Sequence, residues 1–338
     1  MKQVFITGPK KTEIRDVPTP QAKEDWALVK ITAAPMCTEY KQFANGKANH
    51  PLGHEAAGKV IEVAQPGKVN VGDRVVVMPQ FPCGTCDLCI SGEYIHCQHI
   101  VDQQLYSGSE RGSSTYAQFI LKQSWLLPVI PDDISTDHAS MLCCGLGPTF
   151  GALERMNVAG GETVLITGLG PVGLGGIING RYRNCRVLGV TKNPYRANLA
   201  LELGAEKILN PDDPDIDKQI LDITGGKGVS CSIDCSGNPQ AMKLILKVTK
   251  RNGKVSFVGE SGDLTVKISD DLIRNGLTLY GIWHYNLNGV FKLFELVRET
   301  ESAIDKLITH RFPISKVASA WELQLSRRCG KVLLLPWE

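Results

Sequence analysis

The apolar run Thr163-Val164-Leu165-Ile166-Thr167 ends on Gly168-Leu169-Gly170-Pro171-Val172-Gly173, and an apolar stretch of helical length follows at once. A strand that turns through GxGxxG into a helix has few folds open to it. The glycines permit a tight turn, and backbone N–H groups at the helix N-terminus can then approach a pyrophosphate. Outside a strand–helix junction the same letters would be an ordinary glycine-rich turn; here both flanks are present. Gly168, Gly170, Pro171, Val172 and Gly173 are therefore candidate dinucleotide contacts.

The rest of this half repeats the rhythm. Strands are expected at Thr163–Thr167, Arg186–Thr191, Lys207–Leu209, Val229–Asp234, Lys254–Val258 and Leu277–Trp283. Helices are expected at Val172–Arg183, Pro194–Leu203, near Ile216–Ile223 and at Pro239–Lys250. Alternation of this kind implies an α/β fold with a doubly wound parallel sheet. Before Gly151 the texture differs: Val4–Ile6, Trp26–Thr32, Glu55–Val63 and Arg74–Met78 are short runs bounded by Gly and Pro, as in a small β-barrel with long loops. The tail carries one amphipathic helix, Val290–Arg298, and a last strand, Lys331–Leu335.

The second strand of the parallel sheet speaks to the cofactor. An NAD site places a carboxylate at its end, to accept both ribose hydroxyls. Here Thr191 stands there, Lys192 follows, and Arg196 lies one turn on. Lys192 or Arg196 could pair with a 2′-phosphate, which favours NADP over NAD. Solvated surface cations would look the same.

Eleven cysteines is an odd number and a high one for a chain whose start, Met1-Lys2-Gln3-Val4-Phe5-Ile6, does not read as a secretory leader. The expected compartment is the cytoplasm, where clustered thiols bind metal more often than they form disulfides. No apolar run has membrane-spanning length, and a net charge of +2 offers no field for nucleic acid. Cys83-x2-Cys86-x2-Cys89-x7-Cys97 can surround one tetrahedral zinc with no open position, which makes a structural site. A catalytic zinc needs three protein ligands and a vacancy. Cys37, His54, Glu55, Cys143 and Cys144 are candidates, but no local spacing joins them.

Gly53-His54-Glu55, the four-cysteine loop, Val71-Gly72-Asp73-Arg74-Val75 and the Gly168–Gly173 turn occur in one order. In that order and spacing the chain resembles the zinc-containing medium-chain dehydrogenase/reductase family, the alcohol dehydrogenases, over essentially its whole length. The resemblance implies a GroES-like β-barrel catalytic domain at 1–150 and 285–338, and a Rossmann domain at 151–284. It also implies a cleft active site between them and a homodimer or homotetramer. It makes Cys37, His54 and Cys144 the catalytic zinc ligands, with Cys143 in reserve, and Glu55 a carboxylate that can approach the metal in place of water. Lys331 would contact the pyrophosphate.

The chain departs from the family at one place. Relatives have a residue between the first cysteine ligand and the Ser or Thr that relays the proton. Here Cys37-Thr38-Glu39 runs without it. A one-residue deletion leaves Thr38 as relay and Glu39 as the acid that orients His54. Alternatively Glu39 exchanges the proton itself.

The implied chemistry is reversible hydride transfer between an alcohol and NAD(P), with two zinc ions per chain. Tyr40, Phe43, Pro79, Tyr106, Arg111, Trp283 and His284 are candidate pocket residues, though the aromatics could equally serve packing. The Ser- and Gly-rich loop Tyr106–Thr115 and His284-Tyr285-Asn286 point to a polar secondary alcohol, of polyol, sugar or amino-alcohol type, over simple alcohols. A zinc-free quinone or enone reductase would lack Cys37, His54 and Cys144. A nucleotide-binding protein without dehydrogenase activity would hold zinc only in the Cys83–Cys97 loop.

Overall fold

The computed structural model describes residues 1–47, 52–108, 114–260 and 262–338. The chain divides into two compact units. The first comprises Met1–Gly145, Asn286–Glu301 and Ile308–Glu338; the second comprises Leu146–Tyr285 and Ser302–Leu307.

In the second unit six strands form one sheet in the order Thr278–Gly281, Thr249–Phe257, Val229–Asp234, Thr163–Thr167, Arg186–Val190, Lys207–Leu209. Every neighbouring pair is parallel. Apolar runs such as Val164-Leu165-Ile166 are fully buried because helices cover both faces of such a sheet. Leu165, Leu188, Ile220, Val229, Ile245 and Val255 share its core. The strand order reverses between Thr163–Thr167 and Val229–Asp234. The crevice beyond the carboxyl ends of those two strands is where doubly wound sheets take ligands.

The first unit has a six-stranded mixed sheet. Ile308–Pro313, Lys331–Leu335, Trp26–Pro35, Ala56–Val63 and Arg74–Val77 lie in that order, and Phe119–Gln123 also pairs with Trp26–Pro35. A separate hairpin joins Lys2–Gly8 to Lys11–Asp16. The helix Val317–Ser326 packs Trp321 against Phe43, with ring centroids 5.0 Å apart, and against Tyr116 at 5.9 Å. Val29, Ile31, Ala56, Val60, Val75 and Leu334 complete this core.

The expected division at 150/151 moves to 145/146, and that at 284/285 moves to 285/286. The helix Gly147–Arg155 belongs with the parallel sheet. Asn179 in the helix Pro171–Tyr182 donates to Leu146 O at 3.0 Å and to Thr149 Oγ1 at 2.9 Å, which ties the two helices together. The tail is also richer than one helix and a strand. It adds the helices Glu301–Leu307 and Val317–Ser326 and the strand Ile308–Pro313.

Candidate metal and dinucleotide sites

The four-cysteine loop closes on itself. Sγ separations are 3.9 Å for Cys83–Cys89, 3.5 Å for Cys86–Cys89, 3.8 Å for Cys86–Cys97 and 3.6 Å for Cys97–Cys83. Thiolates about 2.3 Å from a tetrahedral zinc stand about 3.8 Å from one another, so the donor set fits that ion with no position left open. Backbone N–H groups prepare the sulfurs. Thr85 N and Cys86 N donate to Cys83, and Cys83 N and His99 N donate to Cys97. The Thr85 donors above all draw the Cys83 thiol down to about 6.

A second cluster unites residues far apart in sequence. Cys37 follows the strand Trp26–Pro35, His54 and Glu55 precede Ala56–Val63, and Cys144 follows the helix Thr136–Ser140. Their donor atoms all lie within 4.8 Å of one another. His54 Nε2 is 3.3 Å from Cys144 Sγ, near the roughly 3.5 Å expected of a nitrogen and a sulfur on one tetrahedral zinc. Cys143 turns away: it is fully buried, with Sγ 3.4 Å from Val77 O.

Two buried carboxylates frame this cluster. Glu39 Oε1 is 2.8 Å from His54 Nδ1, so Nε2 is the ring nitrogen that faces the sulfurs. Glu39 Oε2 accepts from Tyr116 Oη at 2.9 Å and from Cys37 N at 3.2 Å. Burial alone would raise the Glu39 carboxyl, but the neighbouring His54 outweighs it and holds the group down to about 2. Burial and then Glu39 push the Tyr116 phenol well above its usual range, so it remains a donor. Glu55 Oε2 accepts from Cys144 N at 3.0 Å, and its Oε1 is 2.7 Å from Lys331 Nζ. Thr38 is exposed beside Cys37.

Lys331, expected at a pyrophosphate, is fully buried in the first unit, with its ammonium 2.7 Å from Glu55 Oε1. Burial works to lower its pKa, but Glu55, with the Cys37 and Cys144 sulfurs, more than offsets this. Phe43 leaves the pocket candidates, because it is core, stacked on Trp321. Tyr40 packs partly buried against the same core, and Pro79 is buried. Trp283 is half exposed and His284 is buried in the second unit. Arg111 lies outside the described residues, and the backbone of Tyr106 lies in the short helix Gln103–Ser107. Tyr116 has no counterpart among the expected residues, since nothing in its local sequence marks a partner 77 positions away.

In the second unit Gly168 has φ +80°, and a Cβ there would stand 2.5 Å from the Ser236 backbone. Only glycine suits that place. The helix Pro171–Tyr182 starts at this turn with Gly170 as its N-cap residue and Pro171 and Val172 in its first turn. A Cβ on Gly173 would come within 2.2 Å of Gly168 O, so the third glycine lets the helix close on the turn. Asp234, fully buried, braces the neighbouring strand ends: it accepts from Thr167 Oγ1 at 2.7 Å, from Ser236 Oγ at 2.6 Å and from Gly237 N at 3.0 Å. At the second strand, Thr191 Oγ1 accepts from Asn193 N, while Lys192 is 3.4 Å from Asp212 on the surface. A Cβ on Gly170 would stand 3.9 Å from Arg196 Nη1, which puts this guanidinium beside the turn.

Two family models match the chain: "Alcohol dehydrogenase GroES-like domain" over residues 23–132 and "Zinc-binding dehydrogenase" over residues 171–299. An L-threonine 3-dehydrogenase of Pyrococcus furiosus is 31% identical over 95% of this chain and 93% of its own length. A sorbitol dehydrogenase of Bacillus subtilis is 28% identical over 99% and 98%. Among solved structures, an alcohol dehydrogenase from Thermus sp. ATN1 superposes with a TM-score of 0.89 at 22% identity, covering 99% of each chain, a likeness that bears on the fold.

Proposed function

The chain belongs to the zinc-containing alcohol dehydrogenase family, and from that premise we propose that it oxidises a polar secondary alcohol reversibly, with NADP preferred to NAD. It is an NAD(P)-dependent dehydrogenase; the substrate class, the cofactor preference and the residue roles are the parts proposed. The observation that carries the reading is the half-buried cluster of Cys37, His54, Glu55 and Cys144, a donor set that suits zinc and stands apart from the closed four-cysteine loop.

Cys37, His54 and Cys144 would hold a zinc ion, which would supply the Lewis acidity that makes an alcohol hydroxyl acidic near neutral pH. A nicotinamide cofactor bound at the Gly168–Gly173 turn would supply the hydride acceptor, the alcohol giving up a hydride and a proton to become a carbonyl. Thr38 is the exposed hydroxyl beside Cys37, and we assign it the proton relay. Glu39, committed to His54, Cys37 N and Tyr116, orients ligands. Glu55 does the same for the backbone of Cys144. The four-cysteine loop holds a second zinc that stabilises its lobe.

The polar substrate class is supported by the relatives, one named for threonine and one for sorbitol. NADP is supported by Thr191 in place of a carboxylate and by Arg196 beside Gly170. Thiols that must stay reduced to hold zinc suit a cytoplasmic setting. The strand Thr278–Gly281 ends the parallel sheet with an open edge and an exposed Leu279, which suits pairing between copies of the chain in a homo-oligomer. The test is a panel of polyols, amino-alcohols and simple alcohols assayed with each cofactor. Turnover confined to simple primary alcohols would overturn the substrate class.

A further inference from the structure

We infer that Tyr116 is a positioning residue for the Cys37, His54 and Cys144 metal site, acting through Glu39; the inference rests on the zinc reading above. The Tyr116 hydroxyl donates to Glu39 Oε2 at 2.9 Å, and the other carboxylate oxygen is 2.8 Å from His54 Nδ1. Cys37 N lies 3.2 Å from Glu39 Oε2 and 3.4 Å from Tyr116 Oη. One phenol therefore fixes the carboxylate that in turn fixes two separate ligands. Without it, Glu39 keeps its contacts with His54 and Cys37 N but loses the shortest hydrogen bond to its second oxygen, so the carboxylate is held less firmly.

Tyr116 is itself held on every side. Its N–H donates to Leu52 O at 3.1 Å, and its carbonyl accepts from Val4 N at 3.0 Å. Its ring packs on Trp321 and against Gly53, where φ is +81° and a Cβ would stand 2.5 Å from Tyr116 Cδ1. Gly53 is thus the residue that lets this ring approach the backbone next to His54. The hydroxyl is fully buried and faces a carboxylate, an expensive arrangement if it served packing alone.

Outer partners of metal ligands are typically worth about 10- to 100-fold in metal affinity. The experiment measures zinc at both sites in Tyr116→Phe under graded chelator challenge, beside Glu39→Gln and the double variant, with the thermal midpoint of each. We expect Tyr116→Phe to lose one zinc equivalent at roughly tenfold lower chelator, with the second equivalent retained. The double variant should be no weaker than Glu39→Gln alone, because the phenol acts through that carboxylate. Zinc retention like wild type in Tyr116→Phe would overturn the inference. So would loss of both equivalents together, a failure to fold, or additive effects in the double variant. A wild-type chain that binds one zinc would instead overturn the reading on which the inference stands.

Discussion

Lys331 Nζ lies 2.7 Å from Glu55 Oε1, and both side chains are fully buried. The pair joins the head of the last strand to the residue that follows His54. Removing one partner would leave an uncompensated buried charge. We expect Lys331→Met to cost roughly 3–5 kcal/mol of stability, and Lys331→Met with Glu55→Gln clearly less. Denaturant unfolding of the three proteins checks this.

Thr38→Ala should lower kcat by about 10²- to 10⁴-fold, the range for a lost acid–base function. Glu39→Gln should cost less in kcat and more in zinc retention, because Glu39 is occupied by His54, Cys37 N and Tyr116. Steady-state kinetics decide between them. A near-normal Thr38→Ala beside a dead Glu39→Gln would make Glu39 the relay.

Cofactor choice should follow the charges around the second strand. A charge-assisted pair contributes about 1.5–3 kcal/mol, or roughly ten- to a hundredfold in kcat/KM. Arg196→Leu should lose that much with NADP and little with NAD. Asp212→Asn releases Lys192 from its 3.4 Å ion pair and should raise the NADP preference at low salt. Kinetics with both cofactors at fixed ionic strength are the check, and a wild type that prefers NAD would contradict the argument.

Lys122 supplies the pH test. It is almost fully buried, donating to Gln80 O with its ammonium 3.9 Å from the Phe81 ring centroid. Burial lowers its pKa from 10.5 to about 7. Between those values the unfolded chain binds the proton and the folded chain does not, so this group makes stability rise with pH across that window. Below about pH 7 both states are charged and the penalty for burying the cation is complete. Lys122→Met should therefore exceed wild type most at pH 6, with the advantage shrinking as pH approaches 10. Thermal midpoints of the two proteins across that range measure it.

The parallel sheet was legible because its central strands carry short apolar runs, Val164-Leu165-Ile166 and Val187-Leu188 among them, and because the Gly168–Gly173 turn is local. The four-cysteine loop was legible for the same reason: its ligands lie within fifteen consecutive positions, 83–97. The second cluster is built from positions 37, 54, 55 and 144, which no spacing connects, and only resemblance suggested it. That Lys331 would pair with Glu55 was not legible, because the partner lies 276 positions away and no local pattern marks it. The helix Val317–Ser326 buries Val317, Ala320, Trp321 and Gln324, a helical stripe that ends on a polar side chain bonded to Cys37 O at 3.3 Å. The strand Ile308–Pro313 is half polar, and its parallel pairing with Lys331–Leu335 makes it a strand.

The most direct measurement is turnover against zinc content in one preparation. His54→Ala should carry one zinc equivalent, fold normally and turn over no secondary alcohol with either cofactor. Cys89→Ser should instead lower thermal stability, because a closed zinc shell contributes folding energy. Wild-type activity should fall in proportion to the first equivalent removed by chelator and return when zinc is restored. Full activity in chain carrying only one equivalent, or in His54→Ala, would contradict it.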